Sequence, residues 1–326
     1  MPRLPDLVSD SKLETDLVDS CTRHSFSETG SSLSTRRLFR EERWQRRDIL
    51  GHGAYGMVHL EKCITSKENK VRAVKEITKG VLGGARNNWV HEVEALVKFS
   101  HPKYNHCFVS SQGWYELKNR TFVTMEFLEL GDLQSNLNDE PLSEFEARQI
   151  TRQVLEGVGY MHDNGFLHQD LKPSNIMVVS RDPDWFVKIG DFGISRRLSD
   201  DIDTSDPVYC GTPGYMAPQF NGPATSLQLL LSPDMWSLGC IAYKILTGAL
   251  PFPQLRHLFR YCVLGSKFPR EPLHTCKVSD RGQDFVLGLL QARPEHRMTA
   301  VSATRHPWMT ASLDPVKPRP PPARSR

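Results

Sequence analysis

The chain has 326 residues, which is more than a single hydrophobic core usually serves, so two lobes or domains are expected. Its net charge of +3 is only mildly basic, whereas a nucleic-acid-binding domain is usually more basic and carries its charge in a cluster. The sequence has no apolar run long enough to span a bilayer and no secretion signal, and its seven cysteines form no C-x-x-C pair. We therefore expect no nucleic-acid partner, no membrane partner and no zinc or redox motif, and a cytoplasmic or nuclear location, or both.

The two ends of the chain differ in composition from the middle. Residues 1–40 are rich in Ser, Thr, Asp and Glu and contain few aromatic residues. Such a segment buries too little apolar surface to offset the entropy lost on ordering, so 1–40 is predicted to be a disordered, Ser-rich N-terminal segment. Residues 315–326 are rich in Pro and Arg and are expected to form a tail.

Residues 46–127 are predicted to form mainly strands with one helix. Val58 and Leu60 alternate with polar neighbours, as in a half-buried strand. Ala73 and Lys75 share one face of a second strand, because side chains on a strand repeat with a period of two. A helix is then indicated by an apolar stripe formed by Trp89, Val93, Leu96 and Val97.

From Asp132 onward the chain is predicted to be mainly helical. One apolar stripe, formed by Ile150, Val154, Val158 and Met161, ends before the stop signal Asn164-Gly165. Ser232-Pro233 has the composition of an N-cap and a first turn, so a helix is predicted to begin there. The following segment, 235–246, is apolar almost all round and is expected at the centre of its lobe. The boundary between the lobes is predicted near 126–131.

A glycine-rich segment directly precedes the predicted strand that contains Val58 and Leu60. Gly51, Gly53 and Gly56 form the pattern G-x-G-x-x-G. In a dinucleotide-binding fold a helix follows these glycines, and an acidic residue comes about twenty positions later. Here a strand follows, and the residue at about that distance is Lys75. The pattern therefore favours a strand–turn–strand hairpin whose backbone N–H groups can approach phosphates without interference from a Cβ atom.

Lys75 lies in a strand predicted to be half-buried, and a buried ammonium group needs a counter-charge because desolvation disfavours it. Glu92 is the natural partner, since it lies at the edge of the apolar face of the predicted helix. Without the other motifs, the pattern of these two residues would favour a surface lysine and a surface glutamate.

The most informative segment is 168–175, with the sequence HQDLKPSN, which follows a helix stop and precedes an apolar strand. Asp170 can accept a hydroxyl proton and orient the attacking oxygen. Lys172 can neutralise charge on a transferred phosphoryl group, and Asn175 can offer its amide oxygen to Mg²⁺, a cation that prefers oxygen ligands. Asp191 follows the next predicted strand in the tripeptide Asp-Phe-Gly and is expected to be a second metal ligand. Together, in this order and spacing, these groups point to phosphoryl transfer.

With these motifs, the sequence resembles the eukaryotic protein kinase superfamily over about residues 46–308. Beside the motifs above, the similarity includes the segments GTPGYMAP at 211–218 and DMWSLG at 234–239, and Arg297. The resemblance implies an α+β fold with a small, mainly antiparallel β lobe that carries one key helix and a larger, mainly helical lobe. The implied kinase domain spans 46–308, with a small lobe at 46–127 and a large lobe at 132–308.

The resemblance also implies ATP and Mg²⁺ as ligands and a role for each matching residue. The implied catalytic residues are Lys75, Glu92, Asp170, Lys172 and Thr212, and the implied metal ligands are Asn175 and Asp191. The implied ATP-binding residues are Gly51, His52, Gly53, Ala54, Gly56, Val58, Ala73, Lys75, Met125, Glu126, Leu128, Asp132 and Met177. Among these, Val58, Ala73 and Met177 would sandwich the adenine, Met125 would be the gatekeeper, 126–128 the hinge, and Asp132 would reach the ribose or a basic substrate residue. Leu96, His168 and Phe192 would stack as part of the internal spine.

Two features of this resemblance point to serine and threonine as the acceptors. Family members with Asp-Leu-Lys-Pro in the catalytic loop are typically serine/threonine kinases, and Lys172 fits this pattern. Thr212 lies where those kinases bridge the catalytic Asp and Lys through a hydroxyl. The sequence is therefore expected to encode a monomeric, Mg²⁺-dependent serine/threonine protein kinase that acts on protein substrates.

Three positions depart from the family pattern. Gln169 replaces the usual arginine that helps hold a phosphorylated activation loop, and Gln cannot form a charge-assisted fork with phosphate. We hypothesise that activity depends little on activation-loop phosphorylation; loss of activity on replacing Thr204, Ser205 and Tyr209 by alanine would contradict this. Gln219 replaces a glutamate that normally pairs with the arginine that this sequence has at Arg297. Ser174 replaces a glutamate that often recognises basic substrate residues.

Three other functions remain open at this stage. A pseudokinase would bind partners without catalysis, but Lys75, Glu92, Asp170, Asn175 and Asp191 are all present. A small-molecule kinase on a related fold would generally lack the segment at 211–218. A binding module of another fold would require the whole motif series to be accidental.

Overall fold

A computed structural model describes residues 5–29, 37–53, 56–78, 88–118, 120–137, 140–181, 184–198, 211–218 and 227–311. Over these ranges the chain forms two lobes, one built on a β-sheet and the other mainly helical. This agrees with the α+β, two-lobed fold expected from the sequence. Ala54, the loop residues 199–210, Gln219 and the tail 315–326 lie outside the described residues.

In its described residues, the small lobe contains one antiparallel sheet of seven strands and two helices. Its strands are β1 (Glu14–Val18), β2 (Cys21–Thr29), β3 (Arg37–Gly53), β4 (Gly56–Cys63), β5 (Val71–Thr78), β6 (Ser111–Leu117) and β7 (Arg120–Met125). Its helices are α1 (Asp6–Asp10) and α2 (Asn88–Phe99). The strand order is β1-β2-β3-β4-β5-β7-β6, so β1 and β6 are the two edges.

The two edges of this sheet meet. Just before β1, Lys12 forms a parallel bridge with Trp114 of β6. The backbone N–H of Leu13 donates to the carbonyl of Trp114 at 2.7 Å, and the N–H of Trp114 donates to the carbonyl of Ser11 at 3.2 Å. The sheet therefore closes on itself at this point, where each edge covers part of the other.

Closing the sheet buries its face opposite to α2. On that face Arg72 of β5 donates to Glu61 of β4 at 2.6 and 3.0 Å, and to Nε2 of His24 of β2 at 2.7 Å. The other imidazole nitrogen of His24 lies 2.7 Å from the Thr15 hydroxyl, and the Trp44 ring lies 4.0 Å from the Arg72 guanidinium carbon. The charges are buried but paired and hydrogen-bonded, which is the condition under which burial is tolerated.

These contacts contradict the disorder predicted for 1–40 over much of its described part, which is 5–29 and 37–40. The composition of the segment is polar, but two of its few apolar residues, Val8 and Cys21, are buried. The segment also gains a full ladder of backbone hydrogen bonds with β3, from Thr22↔Trp44 to Thr29↔Arg37. Long-range pairing with the rest of the sheet thus supplies the stabilisation that the segment lacks in isolation. The small lobe consequently begins well before residue 46.

The large lobe is built around two long helices, α4 (Glu144–Asp163) and α5 (Leu227–Thr247), which pack against each other. The shorter helices are α3 (Leu133–Asn136), α6 (Leu255–Cys262), α7 (Glu271–Thr275), α8 (Asp280–Leu289), α9 (Ala300–Thr304) and α10 (Pro307–Thr310). Two small two-stranded antiparallel sheets complete the described part of the lobe: β8 (Phe166–Leu167) with β11 (Arg196–Arg197), and the hairpin of β9 (Ile176–Ser180) with β10 (Phe186–Ile189). None of the helices in the described part of the chain is both long and apolar enough to cross a membrane.

Helix α4 follows the sequence prediction. Its predicted stripe, formed by Ile150, Val154, Val158 and Met161, is fully buried. Ser143 caps the first turn through a reciprocal pair of bonds with Glu146, and Asn164 is the C-cap. The helix thus positions the segment that begins at Phe166, which leads into the 168–175 loop.

Helix α5 differs from the prediction at its start. The helix already contains Leu227, so Ser232-Pro233 lies inside it rather than at its N-terminus. A proline within a helix has no N–H to donate to the carbonyl four residues earlier, here that of Leu229. The hydroxyl of Ser232 donates to that carbonyl at 2.8 Å instead, so the serine compensates for the proline. The apolar part, 235–246, lies at the centre of the lobe as expected.

The network behind the sheet predicts a pH dependence of stability. Burial and the charge of Arg72 lower the pKa of His24 from 6.5 to about 4, so the folded protein holds a neutral imidazole. The unfolded chain therefore binds more protons below pH 6.5, and the free energy of unfolding should be highest above that pH and fall as the pH drops toward about 4. The full effect is about 3 kcal/mol. Urea unfolding of the wild type and of His24→Gln between about pH 7.5 and about pH 5 tests this. A smaller pH slope in the variant is expected, and equal slopes would contradict the assignment.

Candidate active site

A cavity of about 400 Å³ lies between the two lobes. Strands β3, β4 and β5 form its upper wall, the segment after β7 forms its back, and the β9–β10 hairpin forms its floor. Most of the predicted ATP- and metal-binding residues line it: Gly51, Gly56, Val58, Ala73, Lys75, Met125, Glu126, Leu128, Asp132, Asn175, Met177 and Asp191. His52 and Gly53 lie in β3 but are not among the lining residues, and Ala54 is outside the described ranges.

The glycine-rich segment forms the expected strand–turn–strand hairpin. Gly51 pairs with Val58, and Gly53 pairs with Gly56. Gly56 has a φ of +149°, and a Cβ atom built there would lie 2.0 Å from the carbonyl oxygen of Glu76. Only glycine fits at this position, because β4 passes so close to β5. The hairpin can therefore bring its backbone close to the cavity.

Three charged side chains meet at the inner end of the cavity. The Lys75 ammonium lies 2.5 Å from Glu92 of α2 and 2.7 Å from Asp191. The Lys75 and Glu92 side chains are only 7% and 6% exposed, which confirms the pairing that the sequence left open. Burial opposes the charge on Lys75, but the two carboxylates outweigh it and raise its pKa. Burial likewise opposes ionisation of Asp191, and Lys75 outweighs it, so the pKa of Asp191 lies below its usual value.

The 168–175 loop brings its polar groups together around Asp170. One carboxylate oxygen of Asp170 accepts from the Lys172 ammonium at 2.7 Å, and the other accepts from the Thr212 hydroxyl at 2.7 Å. Lys172 also donates to the Thr212 hydroxyl at 2.6 Å. The side-chain amide of Asn175 donates to the Asp170 carbonyl at 2.8 Å, which leaves its oxygen as the free ligand atom. Thr212 thus bridges Asp170 and Lys172, as the sequence predicted.

The donor set beside Asp170 fits a divalent metal. Asp191 is ionised at neutral pH, and Asn175 offers an amide oxygen; both line the same cavity. Carboxylate and amide oxygens are the ligands that Mg²⁺ prefers, and Mg²⁺ commonly uses few protein ligands together with phosphate oxygens and water. The two predicted metal ligands are therefore suited to that ion.

Two residues in this region have strained backbones. Gln169 has a φ of +67° and Asp191 a φ of +55°, values that are uncommon for residues other than glycine. The backbone N–H groups of His168 and Gln169 both donate at 2.9 Å to the carboxylate of Asp234, which is fully buried on α5. Asp234 therefore fixes the loop in a conformation that it would not adopt alone.

The sequence of the whole domain matches that of known kinases. The family model described as "Protein kinase domain" matches residues 44–309. This chain belongs to the eukaryotic protein kinase superfamily, serine/threonine type. The kinase is 34% identical over 277 residues to the serine/threonine-protein kinase Rad53 of Saccharomyces cerevisiae, with 81% of this chain but 33% of Rad53 covered. It is 33% identical over 274 residues to calcium/calmodulin-dependent protein kinase type 1 of Caenorhabditis elegans, with 83% and 75% covered.

Solved structures give the same assignment. The crystal structure of Rad53 1-466 in complex with AMP-PNP has a TM-score of 0.65 and 32% identity, covering 82% of this kinase and 65% of that chain. The crystal structure of the Rad53 kinase domain and SCD2 has a TM-score of 0.63 and 31% identity, covering 81% and 88%. The fold of the kinase is therefore shown by sequence and by structure.

Arg297, whose usual glutamate partner is replaced by Gln219, is held by other groups in the structure. The hydrogen bonds of Arg297 go to backbone carbonyls, those of Ser232 at 2.9 Å and of Gln291 at 3.0 Å, and its guanidinium carbon lies 5.0 Å from the Trp236 ring centre. Burial lowers the pKa of Arg297 to about 10. An unpaired buried cation would destabilise the large lobe. The carbonyls and the Trp236 ring stabilise the cation and so reduce that effect. Gln219 itself lies outside the described residues.

Sequence reasoning missed several residues of the site. Leu50 and Val109 line the cavity, and Asp234 anchors the loop, but none was predicted to do so. Leu50 directly precedes the glycine-rich segment and could have been found from its position. Asp234 lies more than sixty residues from its partners, and only the segment similarity at 234–239 hinted at its importance.

The Thr212 bridge predicts a matched pair of variants. Thr212→Val keeps the shape of the side chain and removes the hydroxyl that joins Asp170 to Lys172, so kcat should fall by roughly ten- to a hundredfold because both groups lose their fixed positions. Thr212→Ser retains the hydroxyl and should stay within about threefold of the wild type. Steady-state kinetics with thermal unfolding as a control tests this. Equal losses in the two variants would show that the hydroxyl bridge is not what matters.

Proposed function

We propose that this kinase transfers the γ-phosphate of ATP to serine and threonine hydroxyls of protein substrates. The observation that carries the proposal is a chain of contacts that starts in the cavity. Lys75 contacts Asp191, and both line the cavity together with Asn175. Asn175 donates to Asp170, which Thr212 joins to Lys172. Each of these groups has a use in phosphoryl transfer, which depends mainly on positioning and on neutralising charge. The serine/threonine preference is supported by the serine/threonine kinases among its relatives.

Asp170 is proposed to orient the acceptor hydroxyl and to accept its proton. Its carboxylate is held by Lys172 and Thr212, so its orientation is set before a substrate arrives. Lys172 would neutralise negative charge that develops on the transferred group. Lys75, held by Glu92, would bind phosphate oxygens of ATP and keep the nucleotide in register with Asp170.

Asn175 and Asp191 are proposed to hold Mg²⁺. When bound, the ion would bridge phosphate oxygens and reduce the charge repulsion that an incoming oxygen meets. Among this chain's own groups, Lys75 keeps Asp191 ionised, and Asp170 fixes the amide of Asn175.

The rest of the cavity is proposed to bind the nucleoside. Val58 and Ala73 lie on neighbouring strands, β4 and β5, above the cavity, and Met177 lies below on β9. A flat apolar base would fit between them. Met125 ends β7 at the back, and the backbone of 126–128 would pair with the edge of the base. Asp132 caps α3 through Ser135, and its place at the cavity rim suits a ribose hydroxyl.

We propose that activity depends little on activation-loop phosphorylation. Gln169 offers no charged fork for a phosphate. Arg196 and Arg197, at the start of the activation segment, could have held a phosphate instead. Arg197, however, is already paired: it donates at 2.7 Å to Glu94 of α2, whose side chain is 8% exposed. The start of the activation segment is thus joined to α2 by an ion pair that needs no phosphate.

We also propose bounds for the catalytic domain and an oligomeric state for the kinase. We infer that the catalytic region covers 46–308, with lobes at 46–127 and 132–308, and that 5–29 adds to the small lobe. We infer that the kinase acts as a monomer on protein substrates, with no nucleic-acid partner. The tail at 315–326 would lie outside the catalytic region.

Transfer of radiolabelled phosphate from Mg-ATP to generic protein and peptide substrates tests the proposal. The wild type should produce phosphoserine or phosphothreonine, and Asp191→Ala should reduce the rate by at least about a hundredfold because both the Lys75 partner and a metal ligand are lost. Asp284→Ala, which removes an exposed carboxylate on α8, is the matched control and should behave like the wild type. Chelating Mg²⁺ should abolish transfer by the wild type. A folded wild type that binds Mg-ATP but transfers nothing would instead favour a pseudokinase.

A further inference from the structure

A nine-residue segment before β1, residues 5–13, packs against the back of α2. We call it the N-terminal brace. It lies outside the region matched by the family model, which begins at residue 44. Its helix α1 packs on α2, and its end pairs with β6. The brace therefore connects a part of the chain that the family does not share to the helix that carries Glu92.

The brace contributes one side chain to the main core. Val8 is fully buried and belongs to the same apolar cluster as Val93 of α2 and Trp114 of β6. The neighbouring Leu7 is 46% exposed, so α1 has one inward and one outward face. Val8 is thus placed to transmit the position of α1 to α2 through packing.

Trp114 ties the brace to β6. Its indole nitrogen donates to the carbonyl of Val8 at 2.7 Å, and its backbone exchanges hydrogen bonds with Ser11 and Leu13. The ammonium of Lys12 pairs with Glu116 at 2.8 Å and lies 4.9 Å from the centre of the Trp114 ring. A fully buried indole that donates to the main chain of the brace fixes the brace on both its apolar and its polar sides.

The contact continues from Trp114 into α2. The rings of Trp114 and Trp89 are 5.0 Å apart between centroids, and Trp89 lies in the first turn of the helix. Glu92 follows three residues later, on the neighbouring turn, and forms the 2.5 Å pair with Lys75. A displacement of α2 at Trp89 would therefore displace the carboxylate that holds Lys75.

We propose that Val8 and Trp114 are positioning residues for catalysis: the brace holds α2 in the place where Glu92 meets Lys75, so that this chain assembles its ion pair with its own N-terminal segment. The inference rests on the proposed kinase function, since its consequence is measured as phosphate transfer. Residues 5–13, which composition predicts to be disordered, would thus be part of the catalytic unit. It also gives the small lobe an internal support for α2 in addition to the Arg197–Glu94 pair.

The test uses the full chain with Val8→Asp, and with Leu7→Asp as the matched control on the exposed face of α1. Val8→Asp should lower kcat by about tenfold or more, since a displacement of about 1 Å at a reacting group can have an effect of that size. Leu7→Asp should remain within about twofold of the wild type. Rates are expressed per nucleotide-binding site, so that unfolded protein does not count.

A second pair of measurements separates positioning from a loss of stability. In a Glu92→Gln background, Val8→Asp should lower kcat by less than about twofold, because groups that act through one interaction are not additive. Amide hydrogen exchange of residues 88–99 should become faster in Val8→Asp, while that of 144–163 stays unchanged. If Val8→Asp does not fold, Trp114→Phe, which keeps an aromatic ring but removes the bond to Val8, takes its place in both measurements.

The outcomes are distinct. Equal losses from Val8→Asp in the wild-type and the Glu92→Gln backgrounds, or no difference between Val8→Asp and Leu7→Asp, would overturn the proposal. Unchanged exchange over 88–99 in Val8→Asp would do the same. Absence of transfer by the wild type would overturn the kinase function, whereas the exchange measurement would still decide whether the brace holds α2.

Discussion

The arrangement of this active site depends on the buried ion pair between Lys75 and Glu92. An isolated ammonium or carboxylate at this depth would be strongly disfavoured, and removing one partner of such a pair typically costs about 3–5 kcal/mol. The pair can therefore form only when β5 and α2 are held at the right separation. Asp191 joins it from the large lobe at 2.7 Å from Lys75, so one cation fixes three elements of the chain at once.

Supports for this pair come from both lobes. In the small lobe the closed sheet fixes β5, with its far face filled by the Arg72, Glu61 and His24 network. In the large lobe Asp234 holds the backbone of 168–169, and Phe192 is buried 5.8 Å from the His168 ring, which holds the segment that carries Asp191. The strained backbones at Gln169 and Asp191 are tolerated because these buried partners determine them. The site is thus rigid where charge must be placed and is lined by apolar groups where the base would bind.

The sequence predicted the parts of the site that depend on local order along the chain. The glycine hairpin, the strand lysine, the 168–175 loop and Asp191 were found because each motif is short and its neighbours reveal its secondary structure. The sequence left open whether Lys75 and Glu92 form a buried pair or lie separately on the surface, because the burial of both side chains could not be known. Asp234 was missed because its role requires a side chain to reach across more than sixty residues of sequence.

The other misses also have physical causes. The order of 5–29 was missed because composition reports what a segment can bury alone, whereas β2 is stabilised by pairing with β3 and Val8 by packing within the main core. The start of α5 was predicted too late in the chain. Pro233 has no N–H to donate to the Leu229 carbonyl, and the Ser232 hydroxyl donates to it instead. Composition does not reveal that one donor can replace the other in this way. Both cases depend on contacts that form only in the folded chain.

The most direct measurement is a double-mutant cycle on Lys75→Met and Glu92→Gln, with kcat measured per nucleotide-binding site. If the two residues act as one unit, the double variant should lose no more than about threefold beyond the worse single variant, because the second substitution removes a partner that no longer has a function. If the two losses multiply, Glu92 does not act by positioning Lys75, and the active site does not depend on their ion pair.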